Sequence, residues 1–242
     1  TDPVTAPLAW FCPDVDLCVV ATEPAYRTGI SCGIDPAKLK LIGLPIRRAF
    51  GRMQGSDKRT VRAGLGLARE QPLILISGGG AGIGRILPMA RAITRLLAER
   101  ERDVQLVIIA GRNAELLRQL RRQKWPVPVT VLGFVDNMAE WMAAADLLLT
   151  KAGPGMLAEA ACLVVPVVIT DFIPGQEAGN VSWVVKNGAG LYEHEIEGIA
   201  AVVGELLRPG NPTLQMMSAQ AQAMARPNAS DEIVEAALQL MN

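Results

Sequence analysis

The chain has 242 residues, half of them apolar and a fifth charged, so it can bury a sizeable core and is not globally disordered. Net charge is zero, yet residues 38–124 hold 19 Lys/Arg against 6 Asp/Glu, whereas residues 125–242 hold 4 against 13. No repeat, zinc spacing or aromatic-studded strand pair accompanies the basic segment, so it points to a phosphorylated ligand or an anionic lipid surface and away from nucleic acid.

Cys12, Cys18, Cys32 and Cys162 show no C-x-x-C spacing, and the single His194 has no partner for a metal site or a triad. Reduced thiols in the cytosol are expected. The longest apolar run, residues 160–169, is broken by Pro166 and is shorter than the roughly 18 residues of a membrane span. Residues 1–20 lack the charged-then-apolar layout of a signal peptide. The expected location is cytoplasmic, peripheral at a membrane face. The chain opens at Thr1-Asp2-Pro3 with no initiator Met, which leads us to expect part of a longer polypeptide.

In chain order, residues 16–21 read as a strand, 24–32 as a short helix and 39–44 as a second strand. Pro45 and the polar stretch 51–58 then read as a hinge. Residues 1–50 are taken as the tail end of a preceding domain, and 51–242 as a second domain. From Pro72 the rhythm changes. Residues 73–77, 105–110, 129–132, 147–150 and 164–170 are strand-length Val/Ile/Leu runs. Helical spacing follows the first at Ile86, Met89, Ala90, Ile93, Leu96 and Leu97. Further helices are expected from Asn113 as N-cap and over 138–145, 156–163 and 177–187. The last fifty residues read as helices broken at 209–212 and at Pro227. Continuous apolar runs indicate strands buried on both faces, hence an α/β fold with a doubly wound parallel sheet. Ligands of such sheets sit beyond the carboxyl ends of the strands.

Three glycine-bearing loops fall at those ends. Gly78-Gly-Gly-Ala-Gly-Ile-Gly84 follows a strand and opens a helix, so Gly78, Gly79, Gly80 and Gly82 allow backbone to approach an anion closely. It lacks the G-K-[ST] of a P-loop and the register of a dinucleotide fingerprint, and a tight turn without ligand is the plain alternative. Lys151-Ala-Gly-Pro-Gly-Met156 places Gly153, Pro154, Gly155 and Met156 at a helix start with unpaired N–H groups. Glu159 projects from the same helix among small apolar neighbours, suited to a vicinal diol; the alternative is a solvated helix residue. Pro174-Gly-Gln-Glu-Ala-Gly-Asn180 sets an amide, Gln176, beside a carboxylate, Glu177, which either meet further hydroxyls or cap a helix. Together the loops describe a nucleotide-sugar site.

Other motifs are weaker. Arg112 follows Gly111 at a strand end and could neutralise phosphate or sit in a surface ion pair. Arg118, Arg121, Arg122 and Lys124, followed by Trp125, form a basic cluster suited to a solvated face or an anionic bilayer with Trp at the interface. Asp14-Val-Asp16 has the spacing of a metal-binding D-x-D, although paired acids before a strand are common, and no metal is expected.

With these loops in place the chain resembles the GT-B glycosyltransferases that include the monogalactosyldiacylglycerol synthases, processive diacylglycerol glucosyltransferases and the peptidoglycan enzyme that adds N-acetylglucosamine to lipid I. The likeness runs through Thr150-Lys-Ala-Gly-Pro-Gly155 with Ala158-Glu-Ala160, Gly175-Gln-Glu-Ala-Gly-Asn-Val181, Gly111-Arg-Asn113 and Gly43-Leu-Pro-Ile-Arg47. The resemblance implies a UDP-galactose or UDP-glucose donor, no cofactor and no metal. It implies that the Gly78 and Gly153 loops meet the diphosphate, Glu159 the ribose, Phe134 and Val135 the uracil, and Gln176 and Glu177 the sugar. Arg47, Arg112 and Asn180 complete the expected UDP-sugar contacts. Transfer with inversion to diacylglycerol, giving a β-linked glycolipid, is implied as well.

The family's N-terminal acceptor domain would precede Thr1. Plant members carry a His shortly before a Trp-Phe pair, whereas Trp10-Phe11 here follows Ala6-Pro-Leu-Ala9, so no catalytic base is named. Two rivals stand beside this reading. One is a UDP-sugar-binding subunit of a split glycosyltransferase. The other, a sugar-nucleotide epimerase, is disfavoured by the missing dinucleotide fingerprint and Tyr-x-x-x-Lys pair.

Overall fold

The computed structural model describes residues 2–241. Thr1, and the expectation drawn from the chain's first residue, lie outside that range.

A small unit comes first. Strand β1 (Cys18–Val20) leads through helix α1 (Glu23–Ser31) to strand β2 (Leu39–Leu41), and the two strands pair in parallel. Thr22 caps α1 by accepting the Ala25 N–H at 3.4 Å, with Pro24 in the first turn where its missing N–H costs nothing. Phe11, Val20, Ala25, Ile34 and Leu39 fill its core.

The polar stretch 51–58, expected as a hinge, runs from the end of one helix, α2 (Arg48–Met53), through a turn to the start of another, α3 (Lys58–Gly64). Their polar composition hides a narrow apolar stripe, Phe50 and Val61, turned onto the main core. Asp57 caps α3 through the Thr60 N–H at 2.9 Å.

The large unit is a six-stranded parallel sheet. Its strands are β3 (Leu73–Ser77), β4 (Gln105–Ile109), β5 (Val129–Leu132), β6 (Leu147–Lys151), β7 (Val167–Asp171) and β8 (Gly190–Tyr192). They lie in the order β5-β4-β3-β6-β7-β8. Helices α4 (Ile86–Glu99), α5 (Ala114–Arg121), α6 (Met138–Ala144), α7 (Pro154–Cys162) and α8 (Ala178–Lys186) connect them, and α9 (Ile196–Leu206) follows β8. Side chains alternate between the two faces, as strand geometry requires. Leu73, Leu75, Val107, Ile109, Leu148 and Ile169 meet α2, α6 and α7. Ile74, Ile76, Leu106, Ile108, Leu149 and Val168 meet α4, α5 and α9.

Two boundaries differ from the pattern. Strand β7 starts at Val167 rather than at 164, because Val164 and Val165 return their N–H groups to Ala161 and Ala160 and close the end of α7. Val164 takes a φ of 60° there. Strand β8 is three residues long and opens on Gly190, too short and too plain to register as an apolar run.

After α9, helix α10 (Thr213–Met224) lies against α7, and α11 (Ala229–Leu238) leaves the large sheet for the small unit. Ala229, Ile233 and Ala236 pack on Ile42 and Val19. Ser230 donates to the Ile46 carbonyl at 2.6 Å, and Arg48 pairs with Asp231 at 2.6 Å. By packing, Ile46 and Phe50 go with the large core and α11 with the small one. Among the described residues no helix is long and apolar enough to cross a membrane.

The strand order reverses between β3 and β6. From β3 the chain winds outward to β5, then returns to β6 beside β3 and winds the other way to β8. The connecting loops diverge at that point and leave a crevice at the carboxyl edge, where ligands of doubly wound sheets bind.

Candidate functional site

A cleft of about 240 Å³ occupies this reversal. It is lined by Arg47, Ser77, Gly79, Gly80, Ile109, Gly111, Phe134, Val135, Met138, Met156 and Glu159. Seven of the residues singled out from the sequence therefore converge: Arg47, Gly79, Gly80, Phe134, Val135, Met156 and Glu159.

One wall is made of backbone. Gly79 and Gly82 take φ values of 75° and 60°, which only glycine adopts freely. A Cβ on Gly78 would lie 2.0 Å from the Ile83 carbonyl oxygen, and one on Gly82 would lie 2.1 Å from that of Ala110. The turn after β4 is zipped to this loop. Arg112 donates its N–H to the Gly80 carbonyl at 2.8 Å, and a Cβ on Gly111 would reach that same oxygen at 2.5 Å. Asn113 caps α5 through the Leu116 N–H and donates to the Gly82 carbonyl at 3.3 Å. Gly78 and Gly82 therefore shape the loop rather than line the cleft.

At the end of the cleft nearest β5, Phe134 is half exposed, with the Arg112 guanidinium 4.2 Å above its ring. That geometry is a cation–π contact. The guanidinium covers one face of the ring, and Phe134 itself lines the cleft.

The other wall belongs to α7. Gly153 is its N-cap and Pro154 its first residue, a position where proline's fixed φ suits the helix and its absent N–H loses no bond. The first-turn N–H groups of Gly155 and Met156 precede any intrahelical acceptor. Met156 and Glu159 are three residues apart, so they share the face turned to the cleft. The Glu159 side chain is 15% exposed and lies 3.7 Å from the Arg47 guanidinium, which is itself largely in solvent. Burial raises its pKa from 4.5 to about 7, and Arg47 works against that rise. Burial and the neighbouring Glu159 also push up the Cys162 thiol. All four cysteines are free.

The loop after β7 is organised differently. Glu177 is buried, its carboxylate 2.5 Å from the Lys151 ammonium and 2.9 Å from the Ile173 N–H. Asn180 is fully buried and ties Asp2 to the Ala152 carbonyl, at 2.9 and 3.0 Å. Gln176 is exposed, and its carbonyl accepts the Thr5 hydroxyl. Of the three, Gln176 alone presents its side chain to solvent here. The residues missed from sequence are Ser77, Ile109 and Met138, which line the cleft together with Gly111 of the Gly111-Arg-Asn113 motif, while Lys151, given no role of its own there, stands at the mouth of the α7 loop.

Two surface motifs take a plainer form. Trp125 is partly buried and packs on the second core layer with Val127 and Val129. Arg118 is paired with Glu115, while Arg121, Arg122 and Lys124 remain exposed. Asp14 and Asp16 are exposed in the turn before β1, and among the described residues no group of three or more His, Cys, Asp or Glu is placed to hold a metal.

Comparison with known families decides what this architecture is. The glycosyltransferase family 28 C-terminal domain matches residues 73–233. The chain belongs to glycosyltransferase family 28. Those residues span β3 to α11 and so take in the whole cleft apart from Arg47. Monogalactosyldiacylglycerol synthase 2 of Arabidopsis thaliana is 35% identical over 238 residues, which are 97% of this chain and 51% of that protein. The chain spans about half the length of the curated relatives it matches. MurG of Acinetobacter baumannii superposes with a TM-score of 0.62 at 18% identity, over 91% of this chain and 72% of MurG. The UDP-GlcNAc 2-epimerase of Neisseria meningitidis, solved with UDP-GlcNAc, gives 0.66 at 17% identity, over 93% and 61%. At those identities the likeness is of fold, the α/β GT-B architecture expected from the sequence. The fold is shared by transferases and by that epimerase, and family membership is what separates them.

Proposed function

We propose that this chain is the donor-binding portion of a family 28 enzyme that moves galactose or glucose from a UDP-sugar to diacylglycerol, with inversion, at a membrane surface. The observation that carries the reading is the convergence at one strand-order reversal of a flat aromatic face, a glycine-walled crevice, an open helix start and a largely buried carboxylate. In sheet order they match uracil on Phe134 and Val135, diphosphate between the Gly79 loop and α7, ribose hydroxyls on Glu159, and sugar toward Gln176. Backbone N–H groups and the α7 dipole would stabilise the departing UDP without a metal.

Among the described residues lining the cleft, Glu159 is the one carboxylate and there is no histidine. With Glu159 engaged by ribose, the cleft lining offers no further carboxylate or histidine to serve as base. The acceptor hydroxyl and its base come from an N-terminal acceptor domain, for which residues 1–50 form the adjoining edge. The other form of this reading is a UDP-sugar-binding subunit that docks on a separate acceptor subunit. Incubating the purified chain with radiolabelled UDP-galactose or UDP-glucose and diacylglycerol vesicles tests the division of labour. UDP should bind, no glycolipid should form, and adding the acceptor half of a plant synthase should restore β-linked product. Glycolipid made by the chain alone would contradict it.

A further inference from the structure

Lys151 is the last residue of β6, two before the glycine that caps α7. Pairing between β6 and β7 slips at this point: Thr150 faces Ile169 whereas Lys151 faces Asp171. The slip releases Lys151 from the strand alternation at the mouth of the loop. Its ammonium lies 2.5 Å from one oxygen of Glu177, and the other oxygen accepts the Ile173 N–H, so the carboxylate has little freedom left.

The pair is asymmetric. The Glu177 side chain is 2% exposed and that of Lys151 20%, so the cation is the end that faces outward. A methyl group on Gly153 would lie 3.1 Å from Nζ and 4.0 Å from the Glu177 oxygen, so glycine there leaves the ammonium uncovered toward the first turn of α7. Burying an ion pair costs desolvation that apolar packing avoids, which makes stability a poor reason to keep one.

Resting on the nucleotide-sugar reading above, we infer that Lys151 is a fixed cation for the β-phosphate of the ligand, and that Glu177 is the positioning residue that holds it there. Sheet order selects the phosphate. With uracil at the β5 side and sugar at the β7 side, the ligand crosses β3 and β6 on its way, and Lys151 stands at the β6–β7 side of the crossing. The group nearest it is the phosphate that carries the sugar. Glu177 then acts on the β-phosphate through Lys151.

UDP and UMP distinguish this role, because only UDP has the β-phosphate. Lys151→Met should lower UDP affinity about tenfold or more and leave UMP affinity within about twofold, while Lys151→Arg should recover most of the loss. Because the single variant strands a buried carboxylate, the neutral pair Lys151→Met with Glu177→Gln should be measured beside it and should show the same collapse of the UDP-to-UMP ratio. Equal losses for UDP and UMP, or an unchanged ratio in both variants, would overturn the assignment while leaving the site in place. An unaltered chain that binds neither nucleotide would instead remove the reading on which it rests.

Discussion

The two walls of the cleft are built on opposite principles. The β3–β4 side is glycine backbone locked by close approach: Gly78, Gly82 and Gly111 each have a carbonyl oxygen within 2.5 Å of where a side chain would begin. The β6–β7 side is held by charged and polar side chains, with Arg47 against Glu159, Lys151 against Glu177, and Asn180 donating to Asp2. A steric wall responds to added atoms and is indifferent to pH and salt. An electrostatic wall tolerates small changes of shape and responds to proton and ion concentration.

The sharpest way to break this contrast is to add one carbon to the steric side. Gly82→Ala places Cβ on the Ala110 carbonyl at a φ alanine disfavours, and should lower stability by about 3 kcal/mol or more. Urea denaturation at pH 5 and pH 8 should show the same loss at both.

On the electrostatic side the effect should be smaller and should depend on pH. Glu159→Ala should weaken UDP binding by about 1.5–3 kcal/mol, the value of a hydrogen bond to a charged group. Glu159→Gln isolates the charge. The folded-state pKa of about 7 exceeds the ordinary 4.5, so the Glu159 contribution to stability is fully present below pH 4.5 and is lost as pH rises through 7. That loss is about 3 kcal/mol at most. Free of ligand, Glu159→Gln should match the parent at pH 4 and exceed it in stability at pH 8, read by thermal melts. A uniform destabilisation at both pH values would show that Glu159 is structural.

The smallest expected effect lies outside both walls. Exposed Arg121, Arg122 and Lys124 should each contribute about 1 kcal/mol or less to binding of vesicles containing anionic lipid, and changing all three to Gln should abolish it. Co-sedimentation that ignores lipid charge would make them an ordinary solvated face.

The same contrast explains what the sequence disclosed. Strands β3, β4, β6 and β7 were legible because parallel strands covered on both faces must be continuous Val/Ile/Leu runs, and the glycine loops because only glycine tolerates those φ values and approaches. Helices α2 and α3 were hidden because their buried face is carried by a few residues such as Phe50 and Val61 in a basic, polar stretch. The pairing of Glu177 with Lys151, 26 residues earlier, was not legible because no local pattern reports such a contact. The packing of Trp125 was hidden as well, because the core layer it partly rests on is assembled from distant strands.

The claim at the centre of this account is that Glu159 binds a ribose diol in the cleft where the strand order reverses. Calorimetric titration of the parent chain and Glu159→Gln with UDP and with 2′-deoxy-UDP at pH 8 tests it most directly. The account predicts that the parent binds UDP about tenfold more tightly than the deoxy nucleotide and that Glu159→Gln binds the two nearly equally. Equal affinities in the parent, or a preference for UDP that survives in Glu159→Gln, would contradict it.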